Sequence, residues 1–267
     1  MPASRAPCRC LSPDEAASRL TALGFDDEAA AVLVAHFAAA QSSGRPSHGF
    51  RRVEWLETWS DLDSSARPRR VQSEPGYERW DGNGALGYLV LDAVVRSQLE
   101  RRPAPARLVV CTRTYPTGML GHWVRRLAEG GLVALLTATS PRRLGHPDGG
   151  EKLTGTNPLA IAIPASEGAP VVADVSMGNL TYGDVLSGRA SEGDLQPFGG
   201  EHAYKAFALA VGLQLLVDAL SPEDGFGAVL LVAQPESDPV PAFRALAGGI
   251  RLPGTGSENE KGFERIS

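Results

Sequence analysis

From residue 107 onward the chain is a series of short apolar runs bounded by Gly, Pro and Asp, and this texture constrains its fold more than any other feature. Leu108–Cys111, Leu132–Thr137, Leu159–Ile163, Val171–Ala173 and Val229–Val232 read as buried strands. Gly121–Ala128 and Ala203–Leu220 are helical candidates among them. Upstream the texture is helical. Ser12-Pro13-Asp14-Glu15 carries a capping residue, a proline suited to the first turn and an acid placed for a capping box, so a helix is expected from there to about Leu23. Asp26-Asp27-Glu28 precedes a second helix over Ala29–Gln41, and Phe50–Trp59 resumes as helix after the polar break Ser42–Gly49. Asp63–Pro75, which holds Arg67, Arg69 and Arg70 with Pro68 and Pro75, reads as a connecting loop. The expected fold class is α/β (mixed α+β): a helical region over residues 1–75 and a mixed body over 76–267, packed as one integrated fold.

Composition excludes several functions. With 43% hydrophobic residues in 267, a sizeable core is available; 26 Lys+Arg against 31 Asp+Glu give no basic field for nucleic acid. Ala206–Leu220 is interrupted by Gly212, Gln214 and Asp218 and is expected to fall short of the roughly 20 apolar residues of a membrane span. The first residues lack the apolar segment of a secretory signal. Cys8, Cys10 and Cys111 form no disulfide framework or zinc spacing, so reduced thiols in a cytoplasmic protein are expected. His36, His122, His146 and His202 share no metal-ligand spacing and default to structural or surface roles.

Asp81-Gly82-Asn83-Gly84-Ala85-Leu86-Gly87 satisfies the Gly-x-Gly-x-x-Gly string of dinucleotide sites and precedes a helical candidate, Tyr88–Leu99. A hydrophobic strand should stand before such a string, but Tyr77-Glu78-Arg79-Trp80 is found; no acid ends a second strand where Arg101-Arg102-Pro103-Ala104 stands. Turn and helix-start chemistry accounts for these glycines.

Ser47-His48-Gly49 lies in a Gly-flanked break, with Arg52 four residues beyond the histidine. On a helix His48 and Arg52 share a face, which suits an acid/base imidazole beside a guanidinium clamp for a carboxylate. A helix-entry turn is the alternative. Gly155-Thr156-Asn157-Pro158 leads into a strand and can present a hydroxyl and an amide to a ligand, or be a plain loop. Gly199-Gly200-Glu201-His202-Ala203-Tyr204-Lys205 enters a long helix, which makes either an anion site or a simple cap.

Taken in order, Gly44-x-x-Ser47-His48-Gly49-x-x-Arg52, Asp81–Gly87, Gly118-x-x-Gly121, Gly155–Ala160, Asp174-x-Ser176, Pro197–Gly200 before Tyr204-Lys205, and Leu252-Pro253-Gly254 resemble the malate/L-lactate dehydrogenase family of the second, non-Rossmann type. The resemblance implies a non-Rossmann NAD(P)-binding fold and an NADH- or NADPH-dependent reductase acting on a 2-oxo acid, 2-hydroxy acid or cyclic imine carboxylate. It further implies a homodimer with sites near the subunit interface. By similarity, His48 is the general acid; Ser47, Arg52 and Thr156 bind substrate; Asn157, Asp174, Ser176, Gly199, Gly200 and Lys205 lie around the cofactor. The chain departs from the family at Ser43, commonly arginine, at Pro116, commonly histidine, at Ala206, commonly glycine, and in a shortened stretch between Asp174 and Pro197. These departures raise a second class of function, in which hydride transfer is lost and His48 serves proton transfer such as cyclisation, elimination or isomerisation, or the chain is a non-catalytic partner.

Overall fold

The computed structural model describes residues 11–186, 188–221 and 225–254. Cys8 and Cys10 lie outside the described residues, and Cys111 is buried with a free thiol. Helix α1 (Pro13–Ala22) starts on the expected capping box, Glu15 N–H donating to Ser12 Oγ and Ser12 N–H to the Glu15 carboxylate. Helix α2 (Asp27–Ser42) is capped by Asp26, which accepts from Ala29 N–H at 2.8 Å. A 3₁₀ turn over Pro46–His48 leads to α3 (Arg51–Leu56), shorter than expected because Thr58 Oγ1 bonds back to Trp55 O and the chain turns away.

The body then runs β1 (Arg69–Glu74), β2 (Tyr77–Asp81), α4 (Gly87–Glu100), β3 (Ala106–Thr112), α5 (Leu120–Glu129) and β4 (Val133–Ala138). A small ribbon, β5 (Leu144–Gly145) and β6 (Lys152–Thr154), precedes β7 (Leu159–Ile163), β8 (Val171–Val175), α6 (Tyr182–Leu186), α7 (Ala203–Leu220), β9 (Ala228–Ala233) and α8 (Val240–Ala247). Seven strands form one sheet in the order β1-β2-β3-β9-β4-β7-β8. Only β2 and β3, joined through α4, are parallel. The mixed sheet and helical arm agree with the expected fold class.

One sheet face is closed by α4 and α5, with α2 stacked behind them. Val109, Leu230, Val232, Ala134, Leu136, Ala160 and Ala162 point into this layer and share a core with Leu33, Phe37, Tyr88, Leu91, Trp123 and Leu127. The arm and the body therefore bury one continuous apolar volume. On the opposite face Leu108, Leu231, Leu135 and Ile161 stand side by side in register across four strands, and Leu231 is 45% exposed. Helix α7 lies over part of that face through Ala203, Ala206, Ala210 and Val217.

Three sequence expectations change. Asp63–Pro75 is not all loop: residues 69–74 form β1, an edge strand exposed along its whole length. It is fixed by backbone pairing to β2 and carries no apolar alternation to announce it. Tyr77-Glu78-Arg79-Trp80 is a strand after all. Its charge is misleading because Glu78 is buried and satisfied by Trp80 Nε1, Gln98 Nε2 and Arg101, with Arg70 and Arg107 at 3.7 Å. Finally, residues 200–220 form a helix that by length and composition is apolar enough to cross a membrane, with mean hydropathy 1.5, because the interrupting residues are too few to lower the average.

The Gly82–Gly87 string follows a strand and opens a helix, yet its glycines serve the protein's own backbone. A Cβ on Gly82 would lie 2.1 Å from Arg113 O, and one on Gly87 2.7 Å from Pro116 O. Asp81 closes the turn by accepting from Asn83 N–H and the Arg113 guanidinium. Gly82→Ala is therefore expected to lower stability by about 1–3 kcal/mol through forced backbone displacement. Urea unfolding checks this, and an unchanged midpoint with weakened nucleotide binding would reverse the assignment.

Candidate active site

Several chain segments that end or begin at one end of the sheet converge on a cleft with a cavity volume of about 100 Å³. The loop after β3 supplies Tyr115–Leu120 and the loop after β4 supplies Ala138–Pro141 and Arg143. Thr156 and Pro158 stand before β7, and Asp174 and Ser176 lie at the end of β8. The arm contributes Arg45, His48 and Arg52, and Tyr88, Thr181 and Tyr182 complete the wall.

The Ser-His-Gly break is held by a local chain of bonds. Arg52 Nε donates to Ser47 O at 2.9 Å, which folds the guanidinium back over its own turn and above the Trp55 ring at 4.7 Å. Ser47 is buried and its Oγ accepts from the Thr181 hydroxyl at 3.2 Å. Arg52 is 7% exposed, and no carboxylate of the described residues pairs with it. A buried guanidinium without an acid is costly unless an anion enters.

His48 lies beside Arg52, as the spacing predicts, but in a 3₁₀ turn and not on a continuous helix. Its Nδ1 is buried and without a hydrogen-bond partner. Burial, then the charges of Arg52 and Arg45, depress its pKa to about 3, against the weaker opposing pull of Asp184. Titration near neutrality, expected from the isolated side chain, thus gives way to an imidazole that is neutral at pH 7. The Tyr88 hydroxyl is likewise buried without a partner, and burial pushes its pKa up to about 12.

Asp174 joins three parts of the site. Its Oδ2 accepts from Gly121 N–H at 3.0 Å and from Arg45 at 3.4 Å, while Arg45 also donates to Asp174 O. Burial raises its pKa, and Arg45 and the Gly121 amide oppose that rise. Gly121 has no room for a side chain, since a Cβ would lie 2.9 Å from Asp174 Oδ2.

His48, Arg52, Thr156, Asp174 and Ser176 therefore meet in the cleft, with Ser47 directly behind. Asn157 is fully buried and faces away: its amide donates to Ala210 O and Gln214 Oε1, tying the Gly-Thr-Asn-Pro turn to α7. Gly199 and Gly200 adopt positive φ at the entry to α7, and Lys205 is exposed with Nζ 5.9 Å from the Tyr204 ring; none of these three lines the cleft. Arg45, Tyr88, Tyr115, Arg143 and Tyr182 were not legible as site residues. Arg45 stands two residues before Ser47, within the Gly44–Arg52 motif, and could have been found there, whereas the others lie in loops or helix starts without a signature. His36, behind the cleft, accepts from Met119 N–H at 2.9 Å and stacks on Trp123, a structural role as expected.

Comparison with known proteins agrees with this architecture. The sequence model of malate/L-lactate dehydrogenase matches residues 14–192. A Δ1-pyrroline-2-carboxylate/Δ1-piperideine-2-carboxylate reductase of Pseudomonas putida is 31% identical over 229 residues, 74% of this chain and 66% of that protein. A malate dehydrogenase of Pyrococcus abyssi is 26% identical over 235 residues, 76% of this chain and 64% of the relative. The chain thus spans less than two thirds of the length of these curated relatives. A crystal structure of Δ1-piperideine-2-carboxylate reductase from Pseudomonas syringae has the same fold, with TM-score 0.79 at 23% identity over 92% of this chain and 91% of that one.

The buried histidines carry a pH signature. His48 is depressed to about 3 and His122, mainly by burial, to about 4, whereas both are near 6.5 when unfolded. The unfolded chain therefore binds more protons below pH 6.5, so stability is complete above that pH and is lost as pH falls toward 4. Each histidine contributes a slope of about 1.4 kcal/mol per pH unit in that window. Denaturant titrations between pH 7 and 4.5 should show this slope, and His122→Gln should reduce it by about one proton.

Proposed function

The chain belongs to the malate/L-lactate dehydrogenase family, and on that premise we propose that it is an NAD(P)H-dependent oxidoreductase acting on a 2-oxo acid or cyclic imine carboxylate. The observation that carries the reading is the buried, acid-free Arg52 beside a neutral His48 in one cleft. A carboxylate held by the guanidinium fork sets an adjacent carbonyl or imine carbon against the imidazole. The oxidoreductase names of the relatives weigh against the alternative without hydride transfer.

The cleft suits a nicotinamide on its body side. Thr156 and Ser176 offer hydroxyls and Asp174 a carboxylate there. The bound nicotinamide would supply or accept the hydride. We assign no nicotinamide contact to Asn157, which is turned away, and place Gly199, Gly200 and Lys205 outside the substrate chamber.

His48 then handles the proton. In reduction it must arrive protonated, yet Arg52 and Arg45 both hold its pKa down. A substrate carboxylate on Arg52 offsets one of these charges and raises the imidazole toward protonation as the substrate enters. In the reverse direction the neutral imidazole is already a competent base. Arg52 needs no reorganisation, because Ser47 O and the Trp55 ring already fix it.

The exposed apolar residues Leu209, Leu215 and Leu216 of α7, beside the open sheet face around Leu231, support self-association as a homodimer. A cytoplasmic setting fits the unpaired, buried Cys111.

His48→Gln is expected to lower kcat about 10²–10⁴-fold while leaving NAD(P)H affinity within about twofold. Arg52→Gln should instead raise KM for the acid about 100-fold. In the wild-type chain, kcat/KM for reduction should fall about tenfold per pH unit between pH 5 and 8, while kcat/KM for oxidation stays level. Steady-state kinetics with both cofactors checks all three, and absence of saturable NAD(P)H binding would remove the reading. For the dimer, Leu215→Lys with Leu216→Lys should shift sedimentation from dimer to monomer.

A further inference from the structure

We propose that the loop between β8 and α7 braces the Ser47-His48 turn, and that Thr181 is a positioning residue for the imidazole. The inference rests on the reading of His48 as the group that moves the proton, and it names what fixes that group. It also gives a role to the stretch between Asp174 and Pro197, whose shortening is one of this chain's departures from the family pattern.

The turn has little of its own to hold it. Its backbone bonds are short-range, His48 N–H to Arg45 O at 2.9 Å and Gly49 N–H to Pro46 O at 3.1 Å. Such 3₁₀ bonds are poorer in geometry than α-helical ones. Gly44, at φ +70°, leads into them. Yet two site residues depend on this turn: His48 ends it, and Arg52 Nε is anchored on Ser47 O at 2.9 Å. A shift of Ser47 therefore moves the proton-handling group and the carboxylate clamp together.

Helix α6 packs against the turn and supplies the missing hold. Thr181 Oγ1 lies 3.2 Å from Ser47 Oγ and 2.8 Å from Asp184 Oδ2, so one hydroxyl joins the turn to a carboxylate. Asp184 also accepts from Thr181 N–H at 2.9 Å and pairs with Arg189. Gly183 brings the two backbones together: a Cβ there would lie 2.5 Å from Ser47 O, the atom that holds Arg52. The loop is anchored in turn. The Arg143 guanidinium carbon sits 3.4 Å from the centroid of the Tyr182 ring. Asn179 and Gln196 close the base with reciprocal bonds, Asn179 N–H to Gln196 O at 2.8 Å and Gln196 N–H to Asn179 Oδ1 at 3.0 Å. Ser47 is buried, so its hydroxyl loses a partner without replacement by water when the Thr181 hydroxyl is removed.

Amide hydrogen exchange on the full chain reads the brace without turnover. Thr181→Val is expected to speed exchange at His48 and Gly49 about tenfold while leaving α1 and α2 unchanged. Thr181→Ser, which keeps the hydroxyl, should retain the protection. In kinetics with pyruvate and Δ1-piperideine-2-carboxylate as probes, Thr181→Val should lower kcat/KM about tenfold. On a Ser47→Ala background the same substitution should cost less than about twofold, because the contact it acts through is already gone. Unchanged exchange at His48 and Gly49 in Thr181→Val overturns the proposal. So does an undiminished loss of kcat/KM on the Ser47→Ala background, which assigns Thr181 to direct contact with the substrate. If the wild-type chain binds neither NADH nor NADPH, the reductase reading falls and the exchange result alone decides the brace.

Discussion

The last strand of the sheet sits at its centre, and the cleft depends on that insertion. Without β9 the strands β1-β2-β3 and β4-β7-β8 are two separate halves. The residues leading into β9 then bond both site loops: Thr114 N–H donates to Phe226 O at 2.7 Å and Thr139 N–H to Gly227 O at 2.9 Å. Thr139 Oγ1 also accepts from Gly227 N–H. The spacing between the β3 loop, with Tyr115, and the β4 loop, with Arg143, is thus set by residues about 80 to 110 positions further along the chain. Such pairing is costly in loop-closure entropy and is repaid only when the whole sheet assembles.

This topology accounts for the unequal legibility of the fold. β3, β4, β7, β8 and β9 are visible in sequence because they are apolar and bounded by turn residues, and their burial is what the run of hydrophobics encodes. β1 and β2 escape notice for opposite reasons. Every residue of β1 is exposed, whereas β2 buries a glutamate inside an arginine network, so neither carries the pattern that burial by apolar side chains imposes. The first helix was readable because its cap is a local device, with both partners within three residues.

The site divides along the same line. His48 and Arg52 are legible because one short motif contains them and a single turn brings them together. Tyr115 and Arg143 gain their meaning from a distant strand that places their loops side by side, a relation no local spacing records. The Gly82–Gly87 string shows the converse. Its glycines satisfy a ligand-binding pattern, but the atoms that demand them are Arg113 O and Pro116 O of the neighbouring loop.

The departure at Pro116 has a physical counterpart behind the cleft. Proline removes a donor from the loop, and its carbonyl instead packs against Gly87 at the start of α4. The next residue on that helix, Tyr88, places an unpartnered hydroxyl against the same wall, and His36, edge-on to its ring at 4.8 Å between centroids, holds the following loop through Met119 N–H. Polar groups thus reach this wall from α4 and α2, on rigid elements that share the main core. Within the cleft, Arg52 is a buried guanidinium with which no carboxylate of the described residues pairs. The arm thus holds that cation at one end of the sheet, where the charge of an anionic ligand would offset its burial.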